Sequence, residues 1–144
     1  MDRRADDGSS LILVIFAGML SIAVALAVAS ATSLYLERKR LFSLADGAAL
    51  VAAESFSLDN VEVSEGRVTP RLTSTRVKEA ATAFVAVSTP SDLGPVRIDD
   101  AITRDGRSAT VSLSTVWHPP VVTFLMPAGL RIDVTSTARS VLWH

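Results

Sequence analysis

The stretch that decides the fold is Ser33–Phe56, SLYLERKRLFSLADGAALVAAESF, which follows LILVIFAGMLSIAVALAVASAT, residues 11–32, without a proline or loop signal between them. One helical face of this stretch is apolar and carries Leu34, Leu41, Ala45, Ala48, Ala52 and Phe56. The opposite side carries Glu37, Lys39, Arg40, Ser43, Asp46 and Glu54. We therefore predict one continuous helix from Ser10 to about Ser57, on the order of 70 Å long at 1.5 Å per residue.

The first half of this helix is apolar enough to enter a membrane. Leu11–Ala31 has only Ser21 and Ser30 as polar members, and a bilayer core of about 30 Å needs about twenty such residues. We predict four segments: a tail (1–10), a transmembrane helix (11–32), its continuation (33–57) and an extracytoplasmic domain (58–144). The alternative is a signal peptide cut near Ala29 or Ala31, which would release a secreted soluble α+β binding domain.

The basic residues on the two sides of the span disagree with the orientation that we predict. Arg3 and Arg4 precede the span and three basic residues, 38–40, follow it, so the positive-inside rule favours an external N-terminus. A short tail, one span and then a folded domain is instead the layout of an anchor with the bulk of the chain outside. We predict this second orientation.

Small side chains recur every four residues along the span, at Ala17, Ser21, Ala25, Ala29 and Ser33. Beside them lies a bulky stripe of Phe16, Leu20, Val24 and Val28. Small stripes allow helices to approach closely in lipid, which predicts a homo- or hetero-oligomer through the span. The competing explanation is that alanine is simply common in this chain.

The remaining sequence predicts an α+β domain with a small, mainly antiparallel sheet. Residues 61–68 alternate as a short strand or hairpin, and Thr73–Ser88 has helical spacing with hydroxyl residues available to cap it. Two strands joined at Asp105-Gly106 follow, and a last strand runs from Leu130 towards Trp143. We expect the apolar stripe of the long helix to cover one face of this sheet.

An apolar run bracketed by prolines lies between the last two strands, in HPPVVTFLMPAG. It contains Val121, Val122, Phe124, Leu125 and Met126. Exposed apolar patches mark interaction sites, so these residues are candidates for a partner-binding or membrane-touching loop. The alternative is a connection that folds back to complete the core.

Composition excludes several classes of function. The 14 basic and 15 acidic residues give a net charge of −1, which argues against nucleic-acid binding, and cysteine is absent. The two histidines form no catalytic or metal-binding spacing, and Asp99, Asp100 and Asp105 lack the spacing of a calcium loop. We predict no enzyme activity, cofactor or metal. For Asp46 three alternatives stay open: it pairs with a basic residue such as Arg40, it contacts a partner subunit, or it is a solvated helix residue.

Several residues together carry a resemblance to a known family. A charged tail with a glycine, an apolar span and then YLERKRLFSLADGAALVAA is similar to the TadE/TadG-like proteins of the Flp-type (tight adherence) pilus assembly machinery. The matching features are Tyr35, the basic cluster 38–40 and the Ala-Asp-x-Ala-Ala-Leu segment 45–50. The resemblance implies a pilin-like or accessory component of the bacterial cytoplasmic membrane that binds other pilus or secretion-apparatus proteins.

The resemblance also implies a processing site. Prepilin peptidases cut after a glycine, which points to Gly8, with Ser9 as the new first residue. Pilin-like precursors typically carry a glutamate at the fifth position after the cut, but this chain has Leu13 there. The departure favours a minor pilin-like component or an unprocessed assembly factor over a major filament subunit.

Overall fold

The computed structural model describes residues 4–56, 61–64, 67–119 and 127–139. The elements in chain order are helix α1 (Arg4–Ala53), strands β1 (Val61–Ser64) and β2 (Arg67–Pro70), helix α2 (Ser74–Ser88), and strands β3 (Arg97–Ile102), β4 (Ser108–Trp117) and β5 (Leu130–Arg139). The α+β class predicted from the sequence is confirmed.

Helix α1 is continuous over 50 residues, as predicted. It begins at Arg4, six residues before the predicted start, and it ends at Ala53 rather than near Ser57. The side chain of Ser55 explains the early stop. Its hydroxyl donates to the carbonyl of Ala52 at 2.7 Å, which occupies one of the carbonyls left without a helical partner at the C-terminus.

The sheet has three antiparallel strands in the order β3-β4-β5. β4 and β5 pair without interruption from Ser108↔Arg139 to Trp117↔Leu130, whereas the β3–β4 register shifts between Ile98 and Asp100. Strands β1 and β2 form a separate antiparallel hairpin, so the hairpin alternative for residues 61–68 is confirmed. The last strand is described to Arg139; its predicted extension to Trp143 lies outside the described residues.

The core lies between the sheet and the C-terminal half of α1. α1 contacts β4, β5 and α2, and α2 contacts β3. Four residues of the predicted stripe, Leu41, Ala45, Ala48 and Ala52, are completely buried, while Leu34 and Phe56 are partly buried against the core. The buried face is wider than predicted and also includes Leu44, Ala49 and Ala53.

The start of α2 corrects one sequence prediction. Thr73 occupies the N-cap position, but its side chain makes no capping hydrogen bond. The hydroxyl of Ser74 instead accepts from the backbone N–H of Thr103 and donates to the carbonyl of Thr103, both at 3.3 Å. A long-range contact with the β3–β4 turn therefore replaces the local cap.

The β3–β4 turn contains the predicted Asp105-Gly106 pair but spans residues 103–107, so it is longer than a tight two-residue hairpin. Gly106 has a φ of +67°, which favours glycine. The Asp105 carboxylate accepts from the backbone N–H groups of Arg107 and Ser108 and from the Ser108 hydroxyl. These hydrogen bonds hold the pKa of Asp105 well below its usual range.

Candidate assembly surface

The apolar half of α1 packs against no other part of the described chain. Residues 10–29 are all exposed, and the most apolar window has a mean hydropathy of 2.9 with none of it buried. Within the described ranges, α1 is the one helix long and apolar enough to cross a membrane. A signal sequence passes the same test, whereas the core helix of a soluble domain would be mostly buried. The segment thus has the length, composition and exposure of a membrane anchor.

The small stripe divides into two parts. Ala17, Ser21, Ala25 and Ala29 are exposed, and the hydroxyl of Ser21 donates to the carbonyl of Ala17 at 2.8 Å. Because this hydroxyl is satisfied within the helix, the four positions are available to another helix without an unpaired polar group. Ser33, the fifth member, is half-buried against the chain's own domain. A packing role for the stripe stays a prediction.

Ser33 fixes one end of the sheet next to the end of the apolar segment. The indole Nε1 of Trp117 donates to Ser33 Oγ at 3.3 Å. Trp117 is the last residue of β4 and pairs with Leu130 at the start of β5. Just before Leu130, Gly129 has a φ of +68°, and a Cβ there would come within 2.5 Å of Val116 Cγ1. The sequence analysis did not single out Trp117 or Gly129.

Asp46 has an intramolecular partner. Its Oδ1 accepts from the hydroxyl of Ser136 at 2.9 Å, across the α1–β5 contact, and Ser136 is buried. Pairing with Arg40 is therefore wrong, because Arg40 binds Asp92 after α2. A separation of six residues places Arg40 and Asp46 on different faces of the helix. Contact of Asp46 with a partner subunit stays a prediction.

Gly47 of α1 lies against the ring of Phe84 in α2. A Cβ at this position would be 2.8 Å from Phe84 Cζ and 3.0 Å from Cε1. The glycine makes room for the aromatic ring, which offsets its cost of roughly 1 kcal/mol in a helix interior. The buried alanines on either side, Ala45, Ala48 and Ala49, likewise allow α1 to lie close to its neighbours.

The outer face of the sheet is polar. Hydroxyl pairs join β4 to β5 at Thr110–Thr137 (3.0 Å) and Ser112–Thr135 (2.9 Å). Near the start of β5, the guanidinium of Arg131 binds the carboxylates of Asp133 and Asp99. These two contacts raise the pKa of Arg131. Of the three aspartates considered for calcium, Asp99 pairs with Arg131 and Asp105 caps its own turn.

The described part of the chain holds no group of three or more His, Cys, Asp or Glu side chains that could bind a metal ion. His118 is exposed at the end of β4. The processing residues Gly8 and Ser9 fall within the first turns of α1.

The apolar candidates Val121, Val122, Phe124, Leu125 and Met126 lie outside the described residues. The connection that contains them leaves β4 after Trp117 and returns at Leu130, beside Ser33.

Comparison with protein families gives a match to the N-terminal region of the chain. Residues 8–55 match the family model described as "Putative Flp pilus-assembly TadE/G-like". The resemblance seen in the sequence is confirmed for this region, about a third of the chain. Neither the curated proteins nor the solved structures gave a match.

The TadE/G-like region covers two physically different halves of α1. Its first half is the exposed apolar segment, and its second half ends in the buried alanines. The Ala-Asp-x-Ala-Ala-Leu segment acquires a structural explanation: its alanines pack in the core, Asp46 binds Ser136, and the variable position is the glycine that faces Phe84. Within this chain, the segment docks α1 onto its own domain.

Proposed function

We propose that this chain is a membrane-anchored component of an Flp-type pilus assembly or related secretion apparatus, either a minor pilin-like subunit or an accessory protein. It acts by protein–protein assembly and not by catalysis. The observation that carries the proposal is the coincidence of the TadE/G-like match with a helix that is exposed in its apolar half and docked in its other half.

The exposed apolar half is the proposed anchor. A continuous apolar surface over residues 11–29 far exceeds the patches that soluble monomers expose, so it needs lipid or other helices around it. The chain crosses the bacterial cytoplasmic membrane once, with the bulk outside. The basic cluster after the span opposes this orientation on charge count alone. Arg40 in that cluster is bonded to Asp92, however, so it has a role in the folded domain.

The secreted alternative makes a different prediction about the mature chain. The hydrogen bond to Trp117 comes from Ser33 and the buried core of α1 begins at Leu41, so a cut after Ala29 or Ala31 would leave both intact. The intact mass of the native protein from the membrane fraction separates the cases. A full-length mass supports a retained anchor, and a mass beginning at Ser9 supports prepilin-type processing. Recovery only of a soluble species beginning near Ser30 or Thr32 refutes the anchor.

Assembly through the span is tested by single-cysteine cross-linking in native membranes. The chain has no cysteine, so an introduced one is its only thiol. Ala25→Cys lies in the small stripe, and Val24→Cys in the adjacent bulky stripe is the matched control. We expect cross-links to a second copy or to pilus-assembly proteins from position 25 and few from position 24.

Two results would bear against or for packing of the span through its small stripe. Equal cross-linking at the two positions, or none, contradicts packing through the stripe. A second variant, Ala25→Leu combined with Ala29→Leu, keeps the segment apolar and changes only its shape. Loss of the complex with unchanged membrane insertion supports assembly through this face.

A further inference from the structure

We infer that the end of the sheet where β4 finishes and β5 begins rests on the phospholipid headgroups, as a second membrane contact beside the anchor. The inference depends on the proposed anchorage of α1. It adds a lipid-facing surface on the folded domain, built from residues outside the span.

The first argument is the depth of this end along α1. The apolar run ends at Thr32, and Trp117 Nε1 donates to the next residue, Ser33. The headgroup layer on each side of a bilayer is about 5 to 7 Å thick. At 1.5 Å per residue, the five steps from Ser33 to Arg38 rise about 7.5 Å, which is close to the full thickness of that layer. The Ser33–Trp117 contact therefore lies at the depth of the boundary between acyl chains and headgroups, and the Trp117 ring itself is buried in the core.

The second argument is that the start of β5 lies at the same depth. A cleft is lined by Ala31, Leu34, Tyr35 and Arg38 of α1 and by residues 130–133 of β5. Tyr35 is 66% exposed and Leu130 is 44% exposed. Tyrosine is enriched at the membrane interface, and transfer of an exposed leucine side chain out of water is favourable. These residue types fit a headgroup layer better than they fit bulk water.

The third argument concerns charge. Arg38 is exposed and has no ion-pair or hydrogen-bond partner among the described residues. Arg131 is bonded to two carboxylates, Asp99 and Asp133, so these three groups together carry one negative charge. The unpaired Arg38 balances it. A nearly neutral surface with one free guanidinium suits a zwitterionic headgroup layer, in which a lipid phosphate pairs with Arg38.

The test uses the full chain in phosphatidylcholine proteoliposomes, with an environment-sensitive fluorophore on single introduced cysteines. Leu130→Cys probes the proposed contact. Val87→Cys is the matched control, because Val87 is an apolar residue that is 84% exposed. The C-terminal end of α2, which carries Val87, lines a cleft together with Arg40, Ser43 and Leu44 of α1. These three residues lie about 10 to 16 Å farther along the axis of α1 than Ser33, so position 87 is farther from the proposed membrane surface. Val24→Cys reports on the anchor itself.

Nitroxide lipids labelled in the headgroup or deep in the acyl chain report the depth of each fluorophore. We expect headgroup quenching to be several-fold stronger at position 130 than at position 87, and deep quenching only at position 24. Similar weak quenching at 130 and 87, with position 24 deeply quenched, overturns the inference while the anchor stands. An aqueous signal at position 24 overturns both proposals.

Discussion

Replacement of Gly47 by alanine tests whether α1 and α2 are packed as closely as the structure indicates. Alanine gains roughly 1 kcal/mol over glycine in a helix interior. Its Cβ would lie 2.8 Å from Phe84 Cζ, although ordinary contacts begin at 3.4 Å. Overpacking of this kind costs about 1–3 kcal/mol. We therefore expect Gly47→Ala to lower the free energy of unfolding by about 0–2 kcal/mol despite its better helix propensity.

The sign should reverse when the ring is removed. Leucine at position 84 lacks the two ring atoms nearest to Gly47, so Gly47→Ala in a Phe84→Leu background should stabilise the domain by about 1 kcal/mol. The resulting coupling energy is about 1–3 kcal/mol. Gly18→Ala is a matched control in the same helix, because a Cβ there would meet nothing within 4 Å.

The assay is urea unfolding of the full chain in detergent micelles, followed by tryptophan fluorescence, since Trp117 is buried in the core. Each variant is compared by its midpoint and slope. Equal stabilisation by Gly47→Ala in both backgrounds would refute the reasoning, because it would mean that Phe84 does not occupy the space beside Gly47.

Three further predictions use the same unfolding assay. Asp46→Ala leaves the Ser136 hydroxyl without its acceptor and should cost about 1–3 kcal/mol, whereas Asp46→Asn, which keeps an acceptor oxygen, should cost less; equal losses would contradict a role for this hydrogen bond. Gly129→Ala should cost more than Gly106→Ala: both glycines have positive φ, worth about 1–2 kcal/mol of strain, but only at position 129 does an added Cβ approach within 2.5 Å of a β4 side chain. The lowered pKa of Asp105 stabilises the folded state above about pH 4, and this stability is lost as the pH falls below that value. The difference between wild type and Asp105→Ala should therefore be constant near neutral pH and shrink in acid, and a difference that grows in acid would contradict the assignment.

The elements that depend on local periodicity could be predicted from the sequence. The continuous helix, the buried positions Leu41, Ala45, Ala48 and Ala52, and the strands flanking Asp105-Gly106 all follow from repeats of 3.6 or 2 residues. The predicted apolar face of α1 was too narrow, because the prediction assumed that the helix packs against the sheet alone. α1 has two, the sheet and α2, and this is a property of the tertiary fold.

Polar contacts of the site escaped prediction for a related reason. Ser136 is 90 residues from Asp46, and Trp117 is 84 residues from Ser33, so no local spacing relates them. The cap predicted for α2 failed in the same way, since Ser74 is bonded to the β3–β4 turn. Gly47 did give a signal. A glycine inside an otherwise strong helical pattern is a local signal of a packing reason, although it does not identify Phe84 as the neighbour.

The arrangement of contacts along α1 determines how the orientation of the proposed anchor is coupled to the orientation of the sheet. The hydrogen bond between Ser33 and Trp117 comes immediately after the apolar run, and the buried alanines follow within about six turns of the same unbroken helix. The proposed anchor therefore carries the domain without a flexible linker. A partner helix packed against the span would hold the sheet at a fixed rotation about the helix axis. Small residues occur at both ends of this helix: they allow close approach to the sheet and α2 at one end, and in the proposed assembly they would allow close approach to neighbouring spans at the other.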